Sequence, residues 1–218
     1  MCEMLNRIFL SICEWNWAEI AKIGVSIWVA IVATIALKTW KRQSKAQKQT
    51  DFMDEITNSV HEFVMAMSAP TEMLKYIKIG IESHSRAPDL PSGIENPEAV
   101  AYIQKHGKED SKRLIEYLNL CSPSLTKIRS LSAKGQVLGL KNYEQCQTAS
   151  NMLAWQHERI QALGYIIGNP SLNWENPEVQ KTLSQVIQLD PEEIRRQLGE
   201  HNTVFLIFVK ENYRRIFK

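Results

Sequence analysis

The sequence lacks most of what covalent framing and catalysis require. Its 4 cysteines, Cys2, Cys13, Cys121 and Cys146, show no paired spacing and no CxxC. A disulfide framework is therefore not indicated, and Cys121 and Cys146 read as reduced core residues. His61-Glu62 and His157-Glu158 begin like a metalloprotease HExxH, but Met65 and Gln161 stand where the second histidine belongs. None of the 5 histidines has a glutamate three residues before it, which removes the carboxylate di-metal pattern. GxSxG, GxxxxGK and GxGxxG are all missing. The sequence thus gives no reason to expect an enzyme, a metal or a cofactor.

Charge of one sign is missing in one stretch. No acid occurs from Lys38 to Lys48, a stretch that carries Lys38, Lys41, Arg42, Lys45 and Lys48. The whole chain has 26 basic and 24 acidic residues, of which residues 1–48 hold 7 and 3; from Gln49 onward 19 basic residues face 21 acidic ones, a net of −2. The basicity is a local feature of that first stretch, and no nucleic-acid partner is expected.

No charge at all occurs from Ile23 to Leu37. With its flanks, WAEIAKIGVSIWVAIVATIALKTW from Trp17 to Trp40 covers roughly 35 Å as a helix, enough for a roughly 30 Å hydrocarbon core with some tilt. Lys22 can snorkel its ammonium to headgroups. Trp17, Trp28 and Trp40 read as membrane-anchor residues, with Trp17 and Trp40 at the two interfaces. The alternative, a buried core helix, leaves tryptophans at both ends and a basic block beyond unexplained. The cations after the span orient it with the short N-terminus outside and the C-terminal side in the cytosol, and Lys38, Lys41, Arg42, Lys45 and Lys48 are expected to contact anionic lipid. A cleaved signal peptide would carry its cations before the apolar run. Ser26, Ala30 and Thr34 recur every four residues and predict a small-residue face for helix–helix association, with Ile27, Val29, Ile31 and Ile35 toward acyl chains.

The rest of the chain reads as helical throughout, so the fold class is all-α: one N-terminal transmembrane helix continuing into a cytosolic, bundle-like domain. Residues 1–16 form a short outer or interfacial segment, 17–40 the transmembrane helix, 41–86 basic juxtamembrane and amphipathic helices, and 97–218 a helical domain packing with 50–86. There is no glycine or proline from residue 41 to residue 69, and Phe52, Ile56, Val60, Phe63 or Val64, and Met67 recur at helical steps. Pro70 is expected to kink or restart the helix, which continues through Leu74 and Ile77 to about Ser85. Ser85–Pro97, with three prolines and a glycine, reads as a loop. Asn96-Pro97-Glu98, Asn176-Pro177-Glu178 and Asp190-Pro191-Glu192 read as helix starts. Gly107 is expected to break a helix, Leu114, Ile115, Leu118 and Leu120 to carry the next one to Cys121, and Ser122-Pro123 to begin another. Tyr143–Ile167 reads as a long helix with Cys146, Met152 or Leu153, Trp155, Ile160, Leu163 and Ile167 inward. The last helix runs to about Ile216. Its VFLIFV run, Val204–Val209, reads as core; the alternative docks Lys210, Tyr213, Arg214, Arg215, Phe217 and Lys218 onto headgroups.

The string TWKRQSKAQKQTDFMDEI, Thr39 to Ile56, resembles that of small bacterial single-pass inner-membrane proteins with uncharacterised helical cytosolic domains. The resemblance covers the span and about one following helix, residues 17–56. It implies a bacterial inner membrane and no particular activity. Two functions are compatible with the sequence. One is a membrane-anchored adaptor that contacts membrane lipid and binds an unknown cytosolic protein or itself as a homo-oligomer. The other is a membrane-damaging effector, antiphage or toxin-like, whose spans gather into a pore. The scarcity of polar groups in the span, only Lys22, Ser26 and Thr34, ranks the adaptor first.

Overall fold

A computed structural model describes residues 17–85 and 93–217. The expected interfacial segment 1–16, with Cys2 and Cys13, and residues 86–92 of the expected loop lie outside the described residues. Among the described residues the protein is all-helical, with no strand. The chain divides into two compact units, Met1–Lys48 and Gln49–Lys218.

In the first unit the described residues belong to one helix. This helix, α1, runs Trp17–Ala66 and continues into the second unit at Gln49. It contains no proline, and its one glycine is Gly24. Side chains from Ile23 to Leu37 are exposed throughout.

The second unit closes its own core. The last turns of α1 carry Phe52, Met53, Ile56, Val60 and Phe63 on one helical stripe, and all are buried. A single turn residue, Met67, separates α1 from α2 (Ser68–Glu82), and Pro70 sits in the first turn of α2, where its missing N–H costs least. Helix α3 (Pro97–Tyr102) starts at proline as expected. Its cap differs, because Asn96 makes no capping bond and instead donates its Nδ2 to Ser184 Oγ at 2.8 Å.

Two expected breaks are absent. Gly107 closes a π-turn, Ile103–Gly107, that passes directly into α4 (Lys108–Gly135). A Cβ on Gly107 would stand 2.2 Å from the Ile167 carbonyl oxygen, so the glycine serves close approach to a neighbouring helix, not termination. Pro123 lies inside α4. Proline removes one helical hydrogen bond, yet Leu118, Cys121, Leu125 and Ile128 are buried on both sides of it and hold the helix against the core. Ser122 and Ser124 donate to the Leu118 and Cys121 carbonyls at 3.3 and 3.0 Å.

A short 3₁₀ turn (Gln136–Leu138) and Gly139, at φ 64°, reverse the chain into α5 (Tyr143–Ile167). Helices α6 (Pro177–Ile187) and α7 (Pro191–Ile216) follow, capped by Asn176 and Asp190, whose side chains accept from Glu178 N and Glu192 N at 2.9 and 3.0 Å. Helix α5 is central: it packs against α4, α6 and α7, while α2 contacts α4 and α7. Cys146, Leu153, Ile160, Leu163 and Ile167 point inward, but Trp155 is 45% exposed and Leu120 on α4 is 71% exposed, correcting two expected core positions.

Candidate functional site

The residues expected to meet a membrane all lie on α1. Trp17 opens the helix, and Trp28 and Trp40 are 69% and 63% exposed. Lys38, Lys41, Arg42, Lys45 and Lys48 are exposed, and steps of three, one, three and three residues place them on one helical face. Ser26, Ala30 and Thr34 are likewise exposed on one face. Their hydroxyls are turned inward: Ser26 Oγ donates to the Lys22 carbonyl and Thr34 Oγ1 to the Ala30 carbonyl, each at 2.8 Å. Back-bonding of this kind spends the hydroxyl proton within the helix. The face therefore offers small shape and no free hydroxyl donor. On the other side of the same helix Ala21, Gly24, Val25, Trp28, Val29, Val32 and Ala33 line a shallow apolar groove. Sequence spacing missed this second face because it mixes small and large residues.

Inside the domain the ionisable groups are committed to structure. His157 is 5% exposed, and its Nε2 lies 3.3 Å from the Leu118 carbonyl. Burial pushes its pKa down, partly opposed by that backbone bond, so the imidazole is neutral. The Cys121 and Cys146 thiols are free and buried, and burial pushes them up to about 11 and about 12. Both are protonated and unreactive at neutral pH. Tyr102 donates to Asp110, and its ring meets His84 edge-on and His106 at a tilt, with centroids 5.3 and 5.5 Å away. Burial is the first cause raising the Tyr102 pKa, followed by Asp110. Gly80 makes room for this ring, since a Cβ there would stand 2.5 Å from Tyr102 Cε2. No group of three or more His, Cys, Asp or Glu converges as a metal site among the described residues.

The exposed Trp155 borders a groove with Arg129, Asn151, Met152 and Glu158. Arg129 pairs with Glu158, and the Arg159 guanidinium lies 4.4 Å over the Trp155 ring. Stacked Trp–Arg pairs are typical of binding surfaces and carry no acid–base chemistry here. Their four-residue spacing was the available sequence signal. Compared with known proteins, the chain matches no family model, no curated protein and no solved structure.

Proposed function

We propose that the chain is a membrane-anchored helical interaction module. Lipid covers α1 from Trp17 to Trp40, and the domain from Gln49 works on the cytosolic face of a bacterial inner membrane, the setting implied by the resemblance of Thr39–Ile56. There it binds a cytosolic protein or a second copy of itself. The observation that carries this reading is an 18-residue stretch near the N-terminus, apolar enough to cross a membrane, of which none is buried. Exposed apolar area costs about 25 cal/mol per Å² in water, so a run of this size needs an external cover. A soluble core helix would be covered by its own chain. The cations that follow the run fit the headgroup layer and the cytosolic side. The inward hydroxyls of Ser26 and Thr34 favour the anchor over a pore-forming effector, because a pore needs polar groups facing water.

The test is fractionation of the full chain after alkaline washing, then mild-detergent extraction and affinity capture. The expected result is retention in the membrane and recovery of a stoichiometric partner or of a second tagged copy. Release by alkali, or capture of neither, sinks the proposal.

A further inference from the structure

Helix α7 has two working faces. Ile194, Leu198, Phe205, Phe208 and Asn212 bury one of them in the core. The other is exposed and carries Leu206 and Ile207, each about half exposed (48% and 49%), then Lys210, Arg214 and Phe217, the last 72% exposed. Steps of 100° per residue put Leu206, Ile207, Lys210 and Arg214 within one 100° arc, and Phe217 follows as the C-cap residue. That arc contains no acid between Thr203 and Phe217. Its only acidic border in that span is Glu211, which accepts from Asn142 Nδ2 and shares a surface groove with Lys141, Arg214 and Arg215.

Apolar residues interleaved with cations, and no acids, form a face that suits one environment above others. Apolar tips enter the acyl boundary while Lys and Arg lay their stems along it and reach the phosphates. An acidic protein groove would take the cations but would leave Phe217, at the very end of the helix, in water. Tyr213 donates to Asp54 on α1 and stacks on Phe217 with centroids 5.9 Å apart, which holds the end of this face against the domain.

We infer that the outer face of α7, Leu206, Ile207, Lys210, Arg214 and Phe217, docks the domain onto an anionic bilayer surface. The inference rests on the anchored reading above. It makes the domain's C-terminal helix a second membrane contact, one that lipid charge can engage or release while the anchor stays inserted.

The test uses the full chain, with Cys2, Cys13, Cys121 and Cys146 replaced, reconstituted in vesicles of phosphatidylcholine with and without phosphatidylglycerol. An environment-sensitive fluorophore is placed singly through Ala30→Cys, Leu120→Cys, Ile207→Cys and Phe217→Cys, and circular dichroism confirms that each variant is folded. Position 30 reports the anchor through nitroxides deep in the acyl chains. Positions 207 and 217 report docking through headgroup nitroxides, with 120 as the exposed control. The expected result is quenching at 30 in both lipids, quenching at 207 and 217 with phosphatidylglycerol only, and none at 120. Lys210→Glu with Arg214→Glu should abolish quenching at 207 and 217 and leave 30 unchanged. Quenching at 30 with none at 207 and 217 overturns the docking and keeps the anchor. Shielding of 207 and 217 from an aqueous quencher without lipid quenching assigns the face to a protein, and also overturns it. A label at 30 that escapes the acyl-chain nitroxides brings down the anchored reading, and the docking with it.

Discussion

The two halves of α1 use the same residue types to opposite ends. From Ile23 to Leu37 its valines and isoleucines are exposed, Ile23 at 61% and Val29 at 62%. From Phe52 to Phe63 the apolar positions are closed to solvent, Met53, Ile56 and Phe63 at 0%. The difference lies in the spacing. The first stretch is apolar around the whole circumference, so no single neighbour can cover it; the second is apolar on one stripe, and the domain core fits that stripe. The lesson is that burial must be asked of each segment separately, and that a helix continuous in backbone can change its solvent partway along.

The sharpest way to break the comparison is to truncate one apolar residue on each side. Phe63→Ala should destabilise the domain by about 3–5 kcal/mol, the usual cost of emptying a packed aromatic site. Val29→Ala should leave domain unfolding within about 0.5 kcal/mol of the parent, because its side chain is 62% exposed. Denaturant unfolding of both variants in mild detergent, followed by circular dichroism, checks this. Equal losses would mean that the apolar run is part of a common core.

Glycines refine the same contrast between filled and open space. Gly107→Ala should cost about 1–3 kcal/mol, because its Cβ meets the Ile167 carbonyl oxygen at 2.2 Å and backbone must move. Gly199→Ala on α7 has nothing within 4 Å and should stabilise by about 0.5–1 kcal/mol through helix propensity. Thermal midpoints read both directions. At the helix ends, Asp190→Ala removes the acceptor for Glu192 N and should cost about 1 kcal/mol in the same assay.

The smallest effect is a pH slope. His157 has its pKa lowered by burial in the fold, so the unfolded chain binds the proton more tightly. Its stabilising contribution is complete above the ordinary histidine value of about 6.5 and is lost as pH falls through that value toward the lower folded one. Burial also lowers the pKa of His201 and adds in the same direction. Stability should therefore fall between neutral and mildly acidic pH, and His157→Gln, which keeps a donor for the Leu118 carbonyl, should flatten the slope. Midpoints across that range for parent and variant check it.

Much of the helical layout was legible from local signals. The Tyr143–Ile167 helix, the Asn176 and Asp190 caps and the period of Phe52, Ile56, Val60 and Phe63 follow from spacing and capping chemistry alone. What was not legible depended on tertiary cover. Pro123 looks like a helix start because its missing N–H is a local fact, whereas the buried Leu118 and Leu125 that outweigh it are not. Leu120 and Trp155 fit apolar stripes but fall outside the arc their neighbours cover. VFLIFV reads as one core run, and Val204, Phe205, Phe208 and Val209 do pack on the core, but Leu206 and Ile207 face outward. The cationic face of α1 could be counted directly along the chain. The inward bonds of Ser26 and Thr34 needed rotamers.

The central claim is that lipid covers Ile23–Leu37 and that the domain lies on the cytosolic side. Single cysteines placed from residue 23 to residue 48, in a chain lacking the native four, can be probed in intact cells with a membrane-impermeant maleimide before and after permeabilisation. The expected profile is no labelling from 23 to 37 in either state, and labelling at 45 and 48 only after permeabilisation. Ready labelling within 23–37 on chains recovered in the soluble fraction would contradict the account.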